Sequence, residues 1–168
     1  VYDTQKIPLV KYILGQKEFS SVLIFCSSKI SVKQLNRELR RTTLKVDEIH
    51  SDLEQSKREE VLMHFKSGRL NILVATDILS RGIDIDNIGL VINYDVPHDG
   101  EDYVHRIGRT ARAAADGTAI TFISVKEQRK FGQIEKLLGK TVTKVDVPEQ
   151  FGEAPTYNPT AFVPKDGK

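Results

Sequence analysis

The sequence predicts an α/β domain on a doubly wound, mainly parallel sheet of about five or six strands, with helices on both faces. Three observations carry this. Short apolar, β-branched runs recur, most of them continuous rather than alternating, as strands covered on both faces require. Helix-period segments with start and stop signals lie between them. The 168 residues, 39% hydrophobic and 29% charged, suffice to bury one substantial core.

Residues 1–17 read as a lead-in from an upstream domain, because the chain opens on Val1 and in mid-pattern. The first strand is "SVLIFCS" (21–27). "KISVKQLNRELRR" (29–41) then places Ile30, Leu35 and Leu39 on one helical side. "KVDEIH" (45–50) is the second strand. "SDLEQSKREEVLMHFKSG" (51–68) is a helix with Asp52 as its N-cap, a stripe of Val61, Leu62 and Phe65, and Gly68 as its stop. "LNILVAT" (70–76) and "IGLVINYD" (88–95) are strands, and "GEDYVHRIGRTAR" (100–112) is a helical segment after Pro97 and Asp99. "GTAITFIS" (117–124) is followed by a helix opening on the capping box Ser124-x-x-Glu127 and ending at Gly139. "TVTKVDV" (141–147) closes the series as a strand. From Pro148 onward, four of the six prolines and no regular period mark a tail or linker (148–168), docked through Phe151 and Tyr157 or extended. The folded domain is thus 18–147.

Composition excludes several function classes. The balance of 25 Lys+Arg against 23 Asp+Glu leaves +2, so nucleic-acid affinity has to come from local patches. One cysteine, Cys26, forbids an internal disulfide and fits a reducing, cytoplasmic compartment, where it reads as a buried core thiol. No apolar run approaches the roughly 18 residues of a membrane span, so no membrane partner is expected. His50, His64, His98 and His105 have no metal-ligand spacing with each other or with Cys26. Gly139-Lys140-Thr141 resembles the end of a phosphate loop, but Ile134 stands where that loop needs glycine, and helix precedes strand rather than the reverse.

The densest charge is "HRIGRTAR" (105–112). On a helix, His105, Arg109 and Arg112 fall within a sector of about 60°, where like charges repel by a few tenths of a kcal/mol per pair. A solvated basic turn is the plain alternative. In a parallel sheet, ligands gather at the carboxyl ends of the strands, and this stretch joins "CSSK" (26–29), "HSDLEQSKR" (50–58) and "TDILSRGIDI" (76–85) at that edge. Arginine forks match phosphate oxygens in pairs, and helix N-termini offer N–H groups to the same oxygens. The edge therefore reads as a polyanion site.

"ATDILSRGIDI" (75–85) and "HRIGRTAR", with "VLIFCSSK" and "HSDLEQSKR" upstream, resemble motifs V, VI, IV and the Gln-x-x-Arg element of the DEAD-box RNA helicases. The resemblance covers roughly residues 18–147 in unbroken order. It is to the second, carboxyl-terminal RecA-like domain only, because no Asp-Glu-Ala-Asp run is present. The wording, including "GKTVTKVDVPEQ" (139–150), is similar to the bacterial RhlE-type branch.

The resemblance implies roles residue by residue. Arg109 and Arg112 are the arginine fingers for the γ-phosphate of ATP, which with Mg2+ is held mostly by a separate amino-terminal RecA-like domain. His105 and Arg106 meet acidic residues across the interdomain cleft. Asp84 approaches the ribose, and Gly82 permits close backbone approach. Ser27, Ser28, Arg58, Thr76 and Asp77 fall on the side where phosphates of single-stranded or short duplex RNA are gripped, and Arg81 is an internal strut. Two positions depart from the family: Ala111 and Ser51 stand where glycine is usual. Ala111 costs about a kcal/mol if its backbone needs positive φ.

Taken alone, Arg58 reads as an ordinary helix partner, Asp84 as a turn residue, and Thr76-Asp77 as a cap. Two functions are therefore expected in competition. One is half of an ATP-dependent RNA helicase, inactive by itself. The other is a stand-alone, non-catalytic RNA- or partner-binding module; the intact arginine pair favours the first. A DNA helicase is disfavoured by the DEAD-box form of the motifs.

Overall fold

The computed structural model describes residues 1–16, 19–77, 85, 87–109 and 117–160. Its element order is α1 (Lys6–Gln16), β1 (Val22–Phe25), α2 (Lys29–Arg40), β2 (Val46–Ile49), α3 (Gln55–Lys66), β3 (Ile72–Ala75), β4 (Leu90–Asn93), α4 (Gly100–Ile107), β5 (Thr118–Thr121) and α5 (Gln128–Leu138). The five strands form one sheet in the order β2-β3-β1-β4-β5, every pairing parallel.

The continuous apolar runs become strands buried on both faces. Alternate residues of "VLIF" and "ILVA" serve two cores. Val22, Ile24, Ile72 and Val74 face α1 and α2, where Leu9, Val10, Val32, Leu35 and Leu39 cover them. Leu23, Phe25 and Leu73 face Val61 and Phe65 of α3. Each such buried side chain contributes about 1.5–3 kcal/mol of transfer free energy before entropy is counted. Helices α2 and α3 thus lie on opposite faces, as right-handed crossovers running in opposite directions dictate. A third cluster joins Tyr103 of α4 to Phe131 and Ile134 of α5.

Four expectations are corrected. Residues 141–147 are not a strand: Val142 N–H donates to Glu135 (2.7 Å) and Lys144 Nζ to the same carboxylate (2.9 Å), which ties the segment to α5 instead of the sheet. Ile30 is 74% exposed; Val32 takes its place beside Leu35 and Leu39. Asp52 does not cap α3, which starts after Glu54, because it pairs with Lys29 and Lys33 of α2. Helix α4 stops at Ile107 with Gly108 as its C-cap, so the helical placement of 105–112 holds only for its first residues.

Other signals stand as read. Asp99 caps α4, accepting from Asp102 N–H (2.8 Å). Gly139 ends α5 at φ 69°, the left-handed region that favours glycine. Helix α1, ahead of the expected domain start at 18, packs Leu9 and Val10 into the same core as the sheet, which the sequence reading did not foresee. The tail docks: Phe151 meets the Tyr12 ring edge-on, and Tyr157 O–H donates to Glu135 (2.7 Å).

Candidate functional site

The pairing register sets the strand ends level. Phe25 is opposite Ala75 and Asn93, Ile49 opposite Ala75, and Asn93 opposite Thr121. The residues that follow therefore share one edge: Cys26–Ser28, His50–Asp52, Thr76–Asp77 and Tyr94–Asp95. The winding runs from β1 toward β2 and from β4 toward β5, so it reverses between β1 and β4. Ligands of doubly wound sheets bind at such a reversal. Ser27 and Asp95 flank it.

Two buried cations organise this edge from within. The Arg106 side chain on α4 is 1% exposed. Its Nε donates to Asp77 Oδ1 (2.9 Å) and its Nη2 to the same oxygen. Its Nη1 donates to Asn93 Oδ1 and to the Asp95 carbonyl, each at 3.2 Å. The guanidinium also lies over the Phe25 ring, 5.2 Å from the centroid. The resemblance placed Arg106 against acids of another domain and Asp77 on the RNA side. In this structure the two are partners of each other, because a guanidinium buried under β1 and β4 needs its donors satisfied at once.

Lys6 is the second cation. Its Nζ lies 3.0 Å from Asp95, 3.6 Å from Glu127 and 3.5 Å from Asp3, and over the Tyr94 ring at 5.1 Å. Burial opposes its charge, but the three carboxylates outweigh that and raise its pKa above the ordinary lysine value. The second oxygen of Asp95 accepts from Ser27 N–H (2.7 Å) and Ser27 Oγ–H (3.0 Å). Burial works against the Asp95 charge too; the Ser27 N–H bond and Lys6 prevail and hold its pKa below the usual carboxylate value.

The other expected residues take varied parts. Ser28 caps α2, its Oγ accepting from Ser31 N–H (3.2 Å). Arg58 braces the turn after β2, donating from Nε to the Leu53 carbonyl (3.0 Å) and from Nη2 to the Ser51 carbonyl (3.2 Å). Ser51 meets Arg58 through its main chain, a contact the usual glycine would make equally well. Thr76 follows β3, its N–H on the Ile49 carbonyl (3.2 Å). His105 is partly exposed, with Nδ1 buried and lacking a hydrogen-bond partner among the described residues. Arg109 leaves α4 on a turn: its N–H meets the Arg106 carbonyl (3.2 Å), and its own carbonyl accepts from Ile88 N–H (3.0 Å). Gly82, Asp84 and Arg112, with Arg81 and Ala111, lie outside the described residues. Cys26 is buried, and burial pushes its thiol pKa up, as for an inert core thiol.

Sequence reasoning overlooked Lys6, Asn93 and Asp95. Asp95 carried a usable signal, since it directly follows an apolar strand at the ligand edge. Lys6 carried none: a lysine beside an apolar helix reads as solvated until a buried carboxylate is placed next to it.

Compared with known proteins, residues 5–114 match the family described as "Helicase conserved C-terminal domain". The chain is 43% identical over 150 residues to the ATP-dependent RNA helicase DbpA of Bacillus subtilis, covering 89% of this chain and 31% of that protein. It is 48% identical over 139 residues to the DEAD-box ATP-dependent RNA helicase 40 of Oryza sativa subsp. japonica, covering 82% of this chain and 17% of that one. The chain thus spans less than a third of the length of these curated relatives. Among solved structures, Escherichia coli SrmB, a DEAD-box protein crystallised with a regulator of ribonuclease activity, aligns with TM-score 0.80 at 33% identity over 92% of both chains. A DEAD box protein of Methanococcus jannaschii aligns with TM-score 0.80 at 40% identity, over 87% of this chain and 40% of that one. Among the described residues, no helix is long and apolar enough to cross a membrane.

Proposed function

Because the chain belongs to the helicase conserved C-terminal domain family, as the second RecA-like domain of a DEAD-box RNA helicase, we propose that it supplies arginine fingers and part of an RNA surface to an ATPase site completed by an amino-terminal RecA-like domain. The observation that carries this reading is the split between two neighbouring arginines. Arg106 is spent inside the domain, whereas Arg109 lies beyond the end of α4, its N–H on the Arg106 carbonyl and its own carbonyl accepting from Ile88 N–H. A guanidinium fork at that place suits phosphate oxygens. Arg112 acts with Arg109, Gly82 and Asp84 approach the nucleotide, and His105 faces the other domain. Ser27, Ser28, Arg58, Thr76 and Asp77 shape the RNA side.

The described carboxylates at this edge do not suit Mg2+. Asp77 and Asp95 are already paired with Arg106 and Lys6. We therefore assign the metal to the amino-terminal domain and derive no step through it. RNA and ATP draw the two domains together, and Arg109 and Arg112 reach the γ-phosphoryl group only on closure. In domain terms, 1–17 lead in from the other domain, 18–147 carry the motifs, and 148–168 are the tail. The wording of 139–150 supports placement in the RhlE-type branch, and the lone cysteine supports a cytoplasmic setting.

The test is the purified chain by itself. Steady-state phosphate release with saturating RNA should stay at background, and RNA binding by fluorescence anisotropy should be weak, blind to sequence and steeply salt-dependent. Turnover above background sinks the half-enzyme reading. Tight, sequence-selective binding at high salt favours a dedicated, non-catalytic binder.

A further inference from the structure

Two buried glutamines seat the tail by its main chain. Gln5, in the turn Asp3–Gln5 ahead of α1, is 7% exposed, and its Nε2 donates to the carbonyls of Phe151 (3.0 Å) and Glu153 (2.7 Å). Gly152, at φ 85°, turns the chain so that the carbonyls on either side of it meet that one nitrogen. The Gln5 Oε1 accepts from Tyr2 N–H (2.9 Å). Gln128, the first residue of α5 and also 7% exposed, donates to the Thr156 carbonyl (3.0 Å) and accepts from Asn158 N–H (2.8 Å).

Each glutamine is the sequence neighbour of a charge at the ligand edge. Lys6 follows Gln5 and Glu127 precedes Gln128, and Lys6 Nζ lies 3.6 Å from Glu127 and 3.0 Å from Asp95. Glu127 accepts from Val96 N–H (2.8 Å), Asp95 accepts from Ser27 N–H (2.7 Å), and the Asp95 carbonyl accepts from Arg106. A seated tail satisfies both glutamine amides. An unseated tail would leave two buried amides without these partners, and each would have to turn toward water. Turning Gln5 outward gives up Tyr2 N–H and frees the turn that leads into Lys6. Turning Gln128 outward disturbs the start of α5, next to Glu127. We propose that the tail is a regulatory clasp: seated, it holds Lys6 against Asp95 and Glu127 and so fixes the winding reversal; unseated, it loosens that edge. The two-state element is the tail itself, docked or free. The inference concerns the order of the edge whatever binds there, so it stands apart from the function proposed above.

The experiment is amide hydrogen exchange on the whole chain, native against Tyr157→Phe/Asn158→Pro, and on a chain ending at Pro148. The double variant removes the Tyr157 O–H bond to Glu135 and the N–H that Gln128 accepts, without touching Lys6, Asp95 or Glu127. In it, the amides of Val96 and Ser27 should exchange about three- to tenfold faster, the scale of one hydrogen bond, while amides inside β1 and β3 keep their rates. In the shortened chain the Tyr2 amide should join them. If the shortened chain fails to melt cooperatively, the double variant alone decides. Limited proteolysis of residues 152–160 reports whether the tail has left its seat. Faster cutting there with native exchange at Val96 and Ser27 would show that the tail leaves without disturbing the edge, and would overturn the clasp. A rise that includes β1 and β3 equally would mark general destabilisation and overturn it too, as would a tail that stays protected in the double variant.

Discussion

Arg106 and Arg109 share one basic stretch, and replacing each should read out differently. Arg106→Ala removes the guanidinium over the Phe25 ring and takes a donor away from Asn93 Oδ1, the Asp95 carbonyl and the Asp77 carboxylate. Breaking a buried pair costs about 3–5 kcal/mol, and the 43% exposure of the Asp77 side chain lets water recover part of it. Denaturant unfolding of Arg106→Ala should show a loss of about 2–3 kcal/mol. Arg106→Lys should lose nearly as much, because one ammonium cannot replace a fork that reaches three residues. A loss under 1 kcal/mol for Arg106→Ala would show that the strut is dispensable. The charge of this stretch was visible in the sequence; which arginine goes inward was not. That depends on α4 ending at Ile107, a boundary that the continuing basic run conceals.

Helix α5 and the tail form one unit, although local propensity and tertiary contact disagree there. A Cβ at Gly132 would lie 2.6 Å from Pro159 Cβ. Gly132→Ala should favour the helix by about 1 kcal/mol on propensity alone. With the tail present, it must instead displace Pro159 and strain the neighbouring clasp, where Gln128 bonds the Thr156 carbonyl (3.0 Å) and Asn158 N–H (2.8 Å). Limited proteolysis should cut residues 152–160 faster in the variant. After truncation at Pro148 the same change should turn stabilising in thermal melts. A tail equally protected in both proteins would contradict this. Most elements were legible because their signals are local: unbroken apolar strands, the Asp99 cap, the Gly68 and Gly139 stops. The segment 141–147 was misread for the opposite reason. Its β-branched residues look like a strand, but Glu135 on α5 competes for Val142 N–H and Lys144. Asp52 likewise looks like a cap until α2 brings Lys29 and Lys33 to it, pulling its pKa down to about 2.

Across the whole molecule, the Lys6–Asp95 pair ties the first helix to the ligand edge and makes stability depend on pH at both extremes. The Asp95 pKa is held below its ordinary 3.8, so its contribution is complete above that value and is lost as pH falls through the depressed one. The Lys6 pKa is raised above 10.5, so its contribution is complete below that value and is lost as pH rises through the raised one. Unfolding free energy should plateau between and fall on both sides. Lys6→Met should make the alkaline fall shallower, leaving the part that burial of Cys26 and Tyr94 contributes, and shift the acid fall to higher pH, since Asp95 then lacks its counter-ion. An unchanged profile would show that the pair adds nothing. The account as a whole stands on Arg109 and Arg112 acting across a domain boundary. The most direct measurement is RNA-stimulated ATP hydrolysis by the full-length protein, native against Arg109→Ala and Arg112→Ala. The account predicts a drop on the order of 10³–10⁵ in turnover, equivalent to about 4–7 kcal/mol, in variants that thermal melting shows to be folded at the assay temperature. Arg109→Lys should fail too, for want of the planar fork. Near-native turnover in the alanine variants would contradict the account and leave "HRIGRTAR" a basic turn.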